Sequence, residues 1–391
     1  MGPSGRNALA PPSAAILAFA ILGWATTVPT TSAGGRVASR ASTTPAYVDI
    51  TWMSIANVYY QIGELGIVTD GYITRIPRST FYGGGGGLAY SRERVTPDTA
   101  AVARVLAALG GPTAIDLLLT GHSHFDHSFD TATWSRLTGA NILGPQTTCL
   151  QARAEGLPDD RCTPVVGGEK IVLAEGVTMW VVRWNHSGSS EANPEQHDPI
   201  ELYEVPSRPR DVGGLRPGVA EDFPNGGGGR AFLFVVDGPA GRFSWFYQNS
   251  ASAGDLDRPI VVPLPSGAGE IDYGAPLDNL ERAMREAELE RVDLWIGTGG
   301  RSVAELVVPI LRPQAYLPIH WDGLWAPFDD GMPSRFSSGS LETYLTESGI
   351  RLLRPGQYMD RWRLNAGGVA PIPNEAVKEA LGFQDVQPFP P

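Results

Sequence analysis

The chain is predicted to be a layered α/β protein, on three observations. Short apolar runs of buried-strand length, AIDLLLT (114–120), MWVVRW (179–184), VDLWIGTG (292–299) and AYLPIH (315–320), alternate with segments of helical periodicity. The composition is 42% hydrophobic and 18% charged, enough apolar material for a large core. Five of the six histidines, His122, His124, His127, His186 and His320, sit at or just beyond the ends of those runs. In layered α/β proteins, residues past strand C-termini line a shared crevice.

The elements follow in chain order. Before Arg36 the only charged side chain is Arg6, and the apolar run AAILAFAILGWATTV spans Ala14 to Val28. The run is short for a membrane span, and small residues follow it. This predicts a secretory signal peptide over residues 1–33, cleaved after Ala33, with an uncleaved anchor as the alternative. Export, to a periplasm or outside the cell, is the expectation, with no stable membrane span once the signal is removed. Residues 34–46 read as a linker, and the domain is expected over 47–366. TWMSIANVYYQIGELGIVTDG (51–71) reads as strands with a turn at Gly63. The run Gly83 to Gly87 lacks a following Lys-Ser/Thr and reads as a loop, not a phosphate cradle.

TPDTAAVARVLAALGG reads as a helix with Thr96 as N-cap, Pro97 in the first turn and Gly110–Gly111 as the stop. A second helix is expected from the end of the histidine cluster through DHSFDTATWSRL. Cys149 and Cys162 are the only cysteines. In an exported chain they are expected to pair, the competing reading being two buried thiols. Residues 187–230, rich in Pro and Gly, form a long loop of the kind that serves as a lid. FLFVVDGPAGRFSWFY (232–247) reads as a hairpin and PLDNLERAMREAEL (276–289) as an amphipathic helix. Residues 367–391 read as a Pro-rich tail.

The net charge of −12 argues against nucleic acid as a partner, because phosphate binding needs a basic surface. The expected partner is a small-molecule substrate, and the reason is TGHSHFDH (120–127). Charged imidazoles crowded together repel, whereas a divalent cation that accepts their lone pairs makes them favourable neighbours.

GHSHFDH (121–127) resembles the H-x-H-x-D-H signature of the metallo-β-lactamase superfamily. In sequence order, NHS around His186 and PIHWD around His320 are similar to its later histidine motifs. The TW…D opening strands, TGA at 138–140 and IHWD resemble its lactonase-like branch. The resemblance covers roughly residues 48–330. It implies a four-layer αββα sandwich with one or two divalent metal ions in a crevice between the sheet edges. Carried over by position, His122, His124 and His186 hold one metal, and Asp126, His127 and His320 the other. The superfamily usually adds a bridging aspartate as Gly-Asp just after a strand. Here FSWFY runs into QNSASAGD, with Asn249 and Ser250 where that pair is expected. Either Asp255 reaches back as the bridge or the bridge is missing.

The implied activity is hydrolysis of an ester, lactone, amide or phosphodiester by a metal-activated hydroxide. Asp126 is the catalytic candidate, as ligand or general base. Zinc is the default metal, with iron or manganese compatible with the same donors. Two alternatives stand beside it: a metal-binding or sensory protein without turnover, and a di-iron redox protein, a class that usually carries an acid where this chain has His127. Asp322 reads either as a partner orienting the His320 ring or as an exposed acid. Phe125, Tyr247, Trp321 and Trp325 read as rim residues that contact substrate or simply pack.

Overall fold

A computed structural model describes residues 44–81, 92–186, 200–206, 214–218, 221–224, 228–264, 267 and 269–383. The expected signal peptide, most of the linker, the glycine run, His197 and more than half of the long loop, its first stretch 187–199 included, lie outside the described residues. Among the described residues, no helix is long and apolar enough to cross a membrane.

Two large sheets face each other. The first has the spatial order Gly368–Ile372, Asp360–Asn365, Val48–Ser54, Asn57–Ile62, Leu65–Thr69, Leu117–Leu119, Asn141–Gly144 and Cys162–Pro164. The second runs Arg351–Leu352, Ala315–Pro318, Leu294–Gly297, Gly241–Tyr247, Gly229–Gly238, Val177–Trp184 and Lys170–Ala174. The expected hairpin is present, Gly241 pairing with Gly238 and Tyr247 with Phe232. The strands of each sheet centre are parallel where helices connect them and antiparallel where turns do.

The strand sequences are continuous apolar runs because both of their faces are covered. Alternate residues of Val177–Trp184 go opposite ways. Val177, Met179 and Val181 join the core shared with the first sheet, while Trp180, Val182 and Trp184 pack under helices. Tyr60 of the first sheet meets Phe234 and Trp245 of the second, with ring centroids 5.6 Å apart in each case. Helices Pro276–Glu286, Arg301–Leu311 and Gly339–Glu347 supply the outer cover of the second sheet through Leu280, Met284, Val307, Leu311 and Leu341. Helices Thr131–Thr138 and Gln146–Ala154 lie on the outer face of the first. The αββα sandwich expected from the sequence is therefore the observed fold.

Several local expectations shift. The helix near residue 100 runs from Thr99 to Ala108, and Asp98 caps it, its carboxylate accepting from the Ala101 N–H at 2.9 Å. Thr96 lies too early, since Pro97 precedes the cap. The cluster opens a short helix, Phe125–Ser128, before the longer Thr131–Thr138. The tail boundary is corrected: Gly368–Ile372 is a strand paired with Asp360–Asn365, and Glu375–Ala380 is a helix. Pro371 is tolerated because that strand is the sheet edge, where one row of N–H groups needs no partner. Cys149 and Cys162 are joined in a disulfide with Cα atoms 5.3 Å apart.

Candidate metal centre

Every residue of the site lies just past the C-terminal end of a strand at one end of the sandwich. His122, His124, Asp126 and His127 follow Leu117–Leu119, His186 follows Val177–Trp184, and His320 follows Ala315–Pro318. The first four come from one sheet and the last two from the other, so the crevice between the sheets is where they meet.

They meet as two trios. The ligating atoms of His122, His124 and His186 lie within 4.8 Å of one another, and so do those of Asp126, His127 and His320. Ring centroids are 4.6 Å apart for His122 and His186 and 4.4 Å for His124 and His186. The trios touch: the His122 and His127 centroids are 3.9 Å apart. In the second trio an Asp126 carboxylate oxygen sits 3.0 Å from His320 Nε2 and 3.1 Å from His127 Nε2.

The backbone is bent to achieve this. His320 has φ +62°, and its N–H donates to the Ile55 carbonyl at 2.8 Å. Ile55, itself at φ +45°, donates its own N–H to Asp322 at 3.0 Å. Non-glycine residues held in the left-handed region are a cost that surrounding structure must impose. Asp322 is thus buried, bound to Ile55 and to the Tyr358 hydroxyl at 2.7 Å. It holds the backbone that carries His320, and both expectations for it are corrected.

Electrostatics divide the two trios. Burial pushes the His122 imidazole well below its ordinary range, and the neighbouring His127, His186 and His124 add to that. His122 is therefore neutral, and its buried Nε2 has no hydrogen-bond partner. Burial alone would raise Asp126, but His127 and His320 outweigh it and hold the carboxylate ionised. Burial would likewise lower His127, yet Asp126 and Asp70 lift it to about 10. A divalent cation in this trio would compete with the proton on His127 Nε2, the nitrogen that faces Asp126, and release it on binding.

Asp70 was not assigned a role from the sequence. It follows the strand Leu65–Thr69, has φ +61°, and is fully enclosed. Its carboxylate accepts from His127 Nδ1 at 2.8 Å, the Tyr247 hydroxyl at 2.7 Å, Asn249 Nδ2 at 2.8 Å and the Gly121 N–H at 2.9 Å. Tyr247 is raised well above its ordinary range by burial and then by Asp70, so it stays a donor. The strand-end rule, applied to every polar residue and not to histidines alone, would have found both Asp70 and Asn249.

Asp255 is corrected as the bridge. It is exposed, 3.6 Å from Arg258 and hydrogen-bonded to the Ser252 hydroxyl, and belongs to neither trio. The short turn after Ser252 keeps it at the surface. Of the rim aromatics, Phe125 and Tyr247 are buried core residues. Trp321 and Trp325 are partly buried; Trp321 stacks on Trp52 and Trp325 on Phe125, each at 5.6 Å.

Among curated proteins, a UPF0173 metal-dependent hydrolase of Pyrobaculum islandicum is 32% identical over 75 residues, which is 19% of this chain and 33% of the relative. Its counterpart in Pyrobaculum neutrophilum is 31% identical over the same length and shares. The chain thus spans a third of the length of the curated relatives it matches. The H-x-H-x-D-H loop, the later histidines in order and the two clad sheets stand together with that match. The chain is a metallo-β-lactamase-fold protein. No family model matches it. Solved structures of similar shape include Igni18, a metallo hydrolase of Ignicoccus hospitalis, at 14% identity over 84% of this chain and 99% of that one, TM-score 0.42. An isothiocyanate hydrolase from Delia radicum gut bacteria gives 10%, 80%, 98% and 0.44, and CmlA, a diiron beta-hydroxylase of Streptomyces venezuelae, 13%, 82%, 55% and 0.42.

The donors of this metallo-β-lactamase fold suit a divalent cation. A buried, neutral imidazole with an unpartnered ring nitrogen facing two further imidazoles is costly on its own and favourable around a cation. Imidazole and carboxylate together fit zinc, iron or manganese.

Proposed function

We propose that the chain is a metal-dependent hydrolase acting on an ester, lactone, amide or phosphodiester of a small molecule. The observation that carries this reading is the pair of adjoining trios, His122, His124 and His186 beside Asp126, His127 and His320, inside a crevice that both sheets close. A divalent cation held by these trios would supply a water that loses a proton near neutral pH and a positive charge that polarises the carbonyl or phosphoryl oxygen of the substrate. Zinc is the default, in one or both trios.

The protein's own residues do the rest. Asp126, ionised and 3.0 Å from His320 Nε2, is placed to ligate or to take a proton from the attacking water. His320 and His186 are the partly exposed members of the two trios, so substrate approaches from their side. Burial of His122 and His127 excludes bulk water behind them and strengthens each electrostatic contact. The Cys149–Cys162 disulfide supports an exported chain, since such bonds persist in oxidising compartments.

The Asn249–Ser250 pair, which stands where the superfamily usually has Gly-Asp with its bridging carboxylate, favours a second reading: metal binding without turnover. Elemental analysis of the purified chain with a panel of aryl esters, lactones and bis-aryl phosphodiesters separates the two. Metal with turnover, both lost in His122→Ala, is the expected result; a His122→Ala variant as active as the parent sinks the hydrolase reading.

A further inference from the structure

We propose that Asn249 is a positioning residue that fixes which nitrogen of His122 carries the proton. The inference rests on reading the trios as metal-holding and concerns a residue that is not itself in either trio. Asn249 follows the strand Gly241–Tyr247 by two residues and is buried. Its Nδ2 lies 2.8 Å from Asp70 Oδ2, and an ionised carboxylate only accepts. The amide nitrogen must therefore face Asp70. That leaves Oδ1, which only accepts, 3.2 Å from His122 Nδ1. His122 Nδ1 then carries the hydrogen, and its Nε2 presents a bare lone pair to His124 and His186.

The backbone is shaped for this contact. A Cβ on Gly121 would fall 2.2 Å from Asn249 Nδ2 and 2.7 Å from Oδ1, so the residue before His122 has to be glycine for the amide to fit. His127 is set in the same way without an intermediary: its Nδ1 donates to Asp70 at 2.8 Å and its Nε2 faces Asp126 and His320. One buried carboxylate thus orients an imidazole in each trio, directly for His127 and through Asn249 for His122. In this chain the residue near the usual bridge is an outer hydrogen-bonding link and not a ligand.

The test uses the full-length chain with 15N-labelled histidine, read by NMR before and after zinc is added, and zinc affinity from competition with a chromophoric chelator. Expected are a His122 ring protonated at Nδ1 in the parent, a mixed tautomer and zinc binding weaker by about 10-fold or more in Asn249→Ala, and an Asn249→Asp variant that keeps the tautomer without binding zinc more tightly. A parent His122 protonated at Nε2 overturns the proposal. So does an Asn249→Ala variant with parental tautomer and affinity, or an Asn249→Asp variant that gains zinc. Should Asn249→Ala not fold, the parental tautomer and Asn249→Asp decide. If the parent takes up none of zinc, iron and manganese, the hydrolase reading falls, while the tautomer still decides the role of Asn249.

Discussion

At the scale of single residues, Asp70 carries the largest local burden. Four donors converge on it from two segments, 121–127 and 247–249, and none has water as an alternative. Asn at this position retains the left-handed backbone, which it tolerates at least as well as Asp, so Asp70→Asn isolates the charge. We expect it to cost about 2–4 kcal/mol, the range for leaving buried charge-assisted partners unmatched, as measured by denaturant unfolding. Metal affinity should fall roughly 10- to 100-fold by chelator competition. An Asp70→Asn variant with parental stability would show that the four contacts are not formed together. The histidines were legible in the sequence because imidazole is rare and its clustering has few explanations. Asp70 was not, because aspartate before glycine is also an ordinary turn signal. Nothing in VTDG distinguishes a turn acid from one that receives four hydrogen bonds.

Elements were legible in type more than in boundary. Apolar runs such as LLL at 117–119 and LWIG at 294–297 identified strands because both faces are buried. Where two signals competed, burial decided. Pro-rich GGVAPIP reads as a tail, yet Gly368–Ile372 pairs residue by residue with Arg361–Asn365 at the sheet edge, which periodicity over five residues cannot reveal. At the helix Thr99–Ala108, Asp98→Ala removes the side-chain acceptor for the Ala101 N–H and should lower stability by about 1 kcal/mol in thermal or denaturant melts. The disulfide closes a loop of 13-residue separation around the strand Cys162–Pro164 at the sheet edge. Its removal in a Cys149→Ser/Cys162→Ser chain should cost about 3 kcal/mol by the chain-entropy relation, with the unfolding midpoint as the readout. An unchanged midpoint would mean the reduced chain already holds that edge in place.

For the molecule as a whole, each trio takes members from both sheets: His122 and His124 with His186, Asp126 and His127 with His320. A cation there ties one sheet to the other at the open end of the sandwich. Chelation should therefore lower the unfolding temperature by several degrees, since a ligand at 100 times its dissociation constant stabilises by about 2.7 kcal/mol. His186→Ala should remove much of the same increment despite lying on a different sheet from the motif. A melting curve indifferent to chelator would argue that the imidazoles pack without an ion.

The strand Val48–Ser54 sits between Asn57–Ile62, its neighbour in sequence, and Asp360–Asn365, with Val48 opposite Leu364 and Trp52 opposite Asp360. Almost the whole polypeptide separates these two partners. During synthesis the early strand consequently waits with one row of amides and carbonyls unmatched until Asp360–Asn365 has been made, some three hundred residues later. Such an open border is a template for pairing with another copy. A nonsense mutation just upstream of Asp360 would thus leave the trios encoded in full yet deliver a molecule prone to stick to its siblings.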